Sequence, residues 1–160
     1  MLGGVAGTIV AGFDGGDASG RALDRAIRDA QAASARVVVV VVEPMPFDPL
    51  GLPEEGPWGL GPPQRDEDAL RELALDRQTP PALQPLVDEA LRRTSDAGVA
   101  ADILWRVGDP AREIVDVARD EAASSIVVGA HHHRLLGAAF GEDVAGAVRR
   151  DARCDVVAVD

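Results

Sequence analysis

Apolar and polar positions fall along the chain in blocks whose period switches between that of a buried strand and that of an amphipathic helix. The clearest block is residues 37–42, six consecutive valines. An unbroken β-branched run of that length predicts a strand covered on both faces, and Glu43 and Pro44 end it. Residues 8–14, Thr-Ile-Val-Ala-Gly-Phe-Asp, read as an earlier strand with Asp14 at its carboxyl end and Gly15-Gly16 as the turn that follows. Between the two strands Ala22, Leu23, Ala26, Ala30 and Ala33 recur at helical spacing, with Arg21, Arg25 and Arg28 facing water. Asp17 is expected to cap that helix. Strand, helix, strand implies a right-handed crossover and a parallel sheet.

The pattern lapses over about 45–64, where Pro46, Pro49, Pro53, Pro57, Pro62 and Pro63 alternate with glycines and no regular element persists. Loops of this length are functional lids or disordered segments, and Phe47 and Trp58 favour an insertion that packs at least in part. Residues 66–77 are helical by composition. A further helix is expected over 82–97, with Leu83, Leu86, Val87, Ala90 and Leu91 at core spacing and Gly98 as its stop. Residues 100–107 read as an edge strand. Asp109 and Pro110 then open a helix as cap and first residue, buried through Ile114, Val115, Ala118 and Ala122. Ile126, Val127 and Val128 make a fourth strand ending at Gly129. Glu142 and Asp143 open a last helix carrying Val144 and Val148, and residues 155–159 are a final strand. Five strands linked by helical crossovers define an α/β, doubly wound five-stranded parallel sheet with helices on both faces. In such a fold ligands bind outside the strand carboxyl ends, where the strand order reverses.

Length and charge narrow the partners. The 160 residues suit one domain over 1–160, carrying the Pro/Gly-rich insertion at about 45–64. The net charge is −11, all 16 basic residues are Arg, and these are spread along every segment. Without a basic patch, neither nucleic acid nor an anionic membrane is an expected partner. Cys154 is the only cysteine, which excludes an intrachain disulfide and suits a reducing compartment. The first residues lack a charged n-region and a sufficient apolar core, and no apolar run reaches membrane-spanning length. The expected location is cytoplasmic.

Residues 125–143 carry the candidate chemistry, since a strand, a glycine loop and a helix N-terminus together form a possible phosphate cradle. Over Gly129, His131, Leu136, Val144, Ala152, Cys154 and Val156 the chain resembles the universal stress proteins. Their last third runs strand, Gly, two residues, Gly, nine residues, Gly, Ser or Thr, then a helix and a valine-rich strand. Gly108-Asp109-Pro110 is a further shared signal. The resemblance implies the strand order 3-2-1-4-5. It also implies adenine and ribose contacts at Asp14 and Val41, and phosphate contacts along the loop at Gly129, His131, His132, Gly141, Glu142 and Asp143. Several of these positions are substituted. His132 falls on the second glycine, Glu142 on the third and Asp143 on the Ser/Thr, although Gly137 and Gly141 partly rebuild the loop by a one-residue shift. Side chains there lengthen the approach of backbone N–H groups to phosphate oxygens. Two carboxylates beside a triphosphate also add about 1 to 4 kcal/mol of repulsion per like-charged pair at ~4 Å. ATP is therefore the disfavoured cofactor, expected to bind more weakly than millimolar or not at all.

The remaining candidates are weaker. Consecutive side chains such as His131, His132 and His133 do not converge on one ion without an unusual turn, and no metal site is expected. A solvated loop, or phosphate contact through His131 and Arg134, is the alternative. Asp14 reads equally as a turn cap. No Ser or Cys nucleophile stands beside a His in a recognised arrangement. Residues 155–159 lie at a sheet edge in the family resemblance, and no Lys or Pro blunts them. A homodimer formed along that strand about a two-fold axis is expected, tightening with salt because Asp155 and Asp160 bracket it. The expected function is a stress-response or signalling module, non-enzymatic, acting through dimerisation and an unknown protein partner, with a degenerate nucleotide site. The alternatives are an adenine-nucleotide binder with slow hydrolysis, or an enzyme of the same architecture.

Overall fold

The computed structural model describes residues 7–43, 79–130 and 143–160. The elements run β1 (Thr8–Gly12), α1 (Asp17–Ala33), β2 (Arg36–Glu43), α2 (Gln84–Asp96), β3 (Ala101–Val107), α3 (Pro110–Asp120), β4 (Ser125–Gly129), α4 (Val144–Asp151) and β5 (Asp155–Val159). All five strands pair in parallel in the order β3-β2-β1-β4-β5. The order reverses between β1 and β4, so the chain is doubly wound, as expected. The insertion at 45–64 and the helix at 66–77 lie outside the described residues.

Side-chain alternation along the valine run builds both layers of the core. Val37, Val39 and Val41 join Ile9, Ala11 and Phe13 beneath α1, whose Ala22, Leu23, Ala26, Ile27 and Ala30 face them. Val38 and Val40 join Val10, Ile126 and Val128 beneath α3 and α4. A strand with apolar residues at every position suits only a site covered on both sides. β3 and β5, paired on one side only, keep partly exposed residues at most positions.

Several local expectations need correction. Asp17 is the first helical residue of α1 rather than its cap; Gly16 holds the cap position in an extended conformation, without a side-chain bond. Ala33 is exposed and Ile27 takes a buried place; Ala33 keeps the phase of the stripe but is the last residue of α1, next to the left-handed cap at Ser34. α2 begins at Gln84 rather than 82. Leu91 is 47% exposed, and the buried positions of α2 are Ala90 and Thr94. Thr94 tolerates burial because its hydroxyl lies 2.9 Å from the Ala90 carbonyl. Ala122 is exposed and lies past the end of α3, with φ at +47°. The opening of α3 is as expected: Pro110 is its first residue, and the Asp109 carboxylate accepts the Arg112 N–H at 2.8 Å. Gly98, with φ at +66°, follows α2.

Candidate functional site

The crevice opens at the carboxyl ends of β1 and β4. β1 pairs with β2 as far as Gly12 opposite Val40, and the Phe13 N–H still donates to the Val40 carbonyl at 3.0 Å. The chain then turns at Asp14. Its Oδ1 accepts the Gly16 N–H at 2.8 Å and the Ser19 hydroxyl at 2.6 Å, while the Asp14 N–H reaches the Ser19 Oγ at 3.3 Å. The Asp14 carboxylate therefore laces the β1–α1 turn to the first turn of α1, satisfying a donor that the helix itself leaves unpaired. Gly15 has φ at +80°, and a Cβ there would lie 2.5 Å from Leu86 Cδ2. The turn is thus shaped for glycine, and α2 seats a leucine on it.

Gly129 ends β4 directly against α1. A Cβ at this position would lie 2.8 Å from both the Ala18 carbonyl carbon and the Ser19 nitrogen. The glycine is thus required by the close approach of α1 to β4, whatever the crevice holds. Asp14 and Gly129, read from sequence as ligand contacts, both meet at Ser19, on the turn that opens α1.

Val41 is fully buried and stands beside Trp105 in the β2–β3 ladder. The Val40 carbonyl faces β1 and the Glu43 carbonyl accepts the Gly108 N–H from beyond β3. Backbone groups alternate sides along a strand, so those of Val41 face β3, and those of Val42 face the side where β1 has already ended. Val42 is the crevice-side backbone position that sequence reasoning missed. The signal that finds it is strand register, which periodicity does not carry.

Asp143 occupies the cap position of α4 and makes no side-chain cap bond. Its Oδ2 lies 2.5 Å from where a Cβ on Gly146 would sit, so the exposed carboxylate is folded over the first turn of the helix, into space that Gly146 leaves. A negative charge there is stabilised by the helix dipole, and it stands at the end of the helix where an anionic ligand would be received. His131, His132, Gly141 and Glu142 lie outside the described residues. No group of three or more His, Cys, Asp or Glu among the described residues is placed to hold a metal.

Cys154 lies at the opposite, amino-terminal pole of the sheet. It lines a cavity of about 200 Å³ with Val115, Ala118, Arg119, Ile126 and Arg153. Burial, with a contribution from Asp155, pushes its thiol pKa up, which favours the protonated thiol over the nucleophilic thiolate. Among the described residues no helix is long and apolar enough to cross a membrane.

A parallel sheet wound in both directions from β1, with its crevice at the switch point and a helix N-terminus on either side, defines a Rossmann-like α/β domain of the kind that receives ligands at the strand ends. The sequence model of the universal stress protein family matches residues 6–160, and the chain belongs to that family. Among solved structures, a universal stress protein in complex with cAMP is 25% identical, with a TM-score of 0.65 over 98% of this chain and 99% of that one. A member of the family from Burkholderia pseudomallei is 28% identical, with a TM-score of 0.59 over 98% of each chain. The universal stress protein from Archaeoglobus fulgidus in complex with dAMP is 20% identical, with a TM-score of 0.59 over 98% and 100%, and shares the fold. A search of curated proteins returns no match.

Proposed function

We propose that this chain is a non-enzymatic stress-response or signalling module of the cytoplasm. In this reading it acts through self-association and partner binding, and its crevice takes an adenine mononucleotide of low charge rather than ATP. The observation that carries the proposal is the Asp143 carboxylate, folded over the head of α4, where a polyphosphate would otherwise receive the positive end of the helix dipole. Glu142 precedes it in sequence. Each like-charged pair at ~4 Å costs about 1 to 4 kcal/mol, and ATP brings more such pairs than a cyclic monophosphate does. The complex of a similar chain with cAMP supports a ligand of that smaller charge. The Asp14 Oδ1 bonds to Gly16 and Ser19 and the steric role of Gly129 serve the fold itself, which leaves less of the crevice dedicated to phosphates. Self-association is assigned to β5, which pairs with β4 on one side and presents Val156, Val157, Ala158 and Val159 at an edge.

Calorimetric titration tests the ligand. Wild type is expected to bind cAMP and to bind ATP more weakly than millimolar. The double variant Glu142→Gly, Asp143→Ser is expected to gain at least about tenfold in ATP affinity, the equivalent of about 1.4 kcal/mol. Micromolar ATP binding by wild type would overturn the charge argument.

A further inference from the structure

The cavity of about 200 Å³ at the amino-terminal pole of the sheet lies between the carboxyl ends of two helices. α3 stops beside it at Asp120 and α4 at Asp151, and after α3 the chain turns through Ala122 in a left-handed conformation. Its floor is apolar, since Val115, Ala118 and Ile126 are all buried there. Its walls are short: Ala122, Ala123 and Ala152 line the space where longer side chains would close it. Half-buried Cys154 completes the lining on the side of β5.

The rim is charged, and its sign is opposite to that of the chain. Arg119 and Arg153 line the cavity and are exposed, against a single lining carboxylate, Asp151, in a protein whose net charge is −11. Asp151 lies 3.4 Å from Arg150, and Arg119 lies 3.0 Å from Asp116 on its own helix. Asp155, which follows Cys154, does not line the space. The Arg153 guanidinium has no ion-pair or hydrogen-bond partner among the described residues. An apolar floor under a cationic rim is the polarity that a small anion with an apolar body requires.

We infer that this cavity is a second ligand site, which takes a small monocyclic carboxylate: the ring rests on Val115, Ala118 and Ile126, and the carboxylate pairs with Arg153. The site stands at the opposite pole from the crevice and is independent of the nucleotide reading. Its size selects the body of the ligand. An apolar cavity of about 150 Å³ holds benzene, so a volume of about 200 Å³ accommodates one ring with its carboxyl group. It falls below the roughly 300–1,000 Å³ of pockets that take larger ligands. The planar guanidinium matches a carboxylate with two parallel hydrogen bonds, and a ring on the floor removes from water the apolar surface that the short alanine walls leave uncovered.

The test is calorimetric titration of the full chain with three probes: benzoate, benzyl alcohol, which keeps the ring without the charge, and acetate, which keeps the charge without the ring. Benzoate is expected to bind at least about tenfold more tightly than either. It is also expected to slow the alkylation of Cys154 by iodoacetamide, because it covers the wall that the thiol helps to form. Arg153→Gln is expected to lower benzoate affinity to that of benzyl alcohol. Ala152→Leu, which adds volume at a half-buried lining position, is expected to abolish binding of both with the urea midpoint kept. Wild type that binds no benzoate overturns the inference, as does binding that leaves Cys154 alkylation or the Arg153→Gln affinity unchanged. Displacement of benzoate by cAMP places it in the crevice and overturns the inference too. Ala152→Leu that loses self-association in light scattering while still binding benzoate gives the cavity to a second copy of the chain, with the same consequence.

Discussion

Replacing Gly129 with alanine separates a glycine kept for the fold from one kept for a phosphate. The added Cβ would stand 2.8 Å from the Ala18 carbonyl carbon and the Ser19 nitrogen, and 3.0 Å from the Ala18 Cβ. Two of these three atoms are main chain, so relief requires α1 to move away from β4 rather than a side chain to rotate. Forcing extra volume into a packed contact of this kind costs about 1–3 kcal/mol. For a chain of this size each kcal/mol lowers the Tm by roughly 2–4 °C, so the expected fall is about 2–12 °C in nucleotide-free protein. Gly12→Ala is the control, because its Cβ would lie 2.7 Å from Ile114 Cδ1, the far end of a flexible side chain. Its cost is expected to stay below about 1 kcal/mol. Thermal and urea unfolding of both variants, without ligand, reads the comparison. A Gly129→Ala protein within about 0.5 kcal/mol of wild type, or one more stable than Gly12→Ala, would refute the packing argument and return Gly129 to the ligand.

Hydrogen bonds from Arg92 first and Arg93 second hold the Glu89 carboxyl below its usual range, and Arg93 also reaches Asp24 of α1. A depressed folded-state pKa gives stability that is present above the unfolded value and lost as pH falls through the folded one. Urea midpoints should therefore favour wild type over Glu89→Gln at pH 7, with the gap closing under acid; a gap that persists or widens in acid contradicts this. Alkylation of Cys154 by iodoacetamide should need higher pH in the native protein than in urea, because burial raises the thiol pKa, and matching pH profiles would remove that account. Light scattering in high salt should show a wild-type dimer and a monomeric Val157→Lys protein. A monomeric wild type or a dimeric variant would exclude association through β5.

Much of the architecture was legible because it rests on local repetition. The six valines announce a strand apolar on both faces, and their odd and even members do divide between two core layers. Asp109-Pro110 marks the start of α3 through an interaction spanning three residues. The errors lie where a neighbour in space, rather than in sequence, decides. Leu91 has the spacing of a core residue, yet Thr94 is buried in α2 because its hydroxyl is satisfied within the helix. At Asp14 the alternative reading as a turn cap accounts for the carboxylate's bonds to the Gly16 N–H and the Ser19 hydroxyl. At Gly129 the contact that requires glycine comes from Ala18 and Ser19, more than a hundred residues earlier in the chain.

By itself, the sequence determined the parallel α/β class, most of the buried positions and the acidic residue, Asp143, at the head of α4. Hydrophobic periodicity and helix-end chemistry act over a few residues and leave their mark in the order of residue types. Only the tertiary structure decided that α1 presses on the end of β4, that the Val42 backbone rather than that of Val41 faces the crevice, and that a tryptophan N–H on β3 is buried without an acceptor. Each of these depends on register and close approach between distant segments. Those are set when whole faces pack together, and a pattern of residue types along one strand does not specify which atom of the next element it will meet.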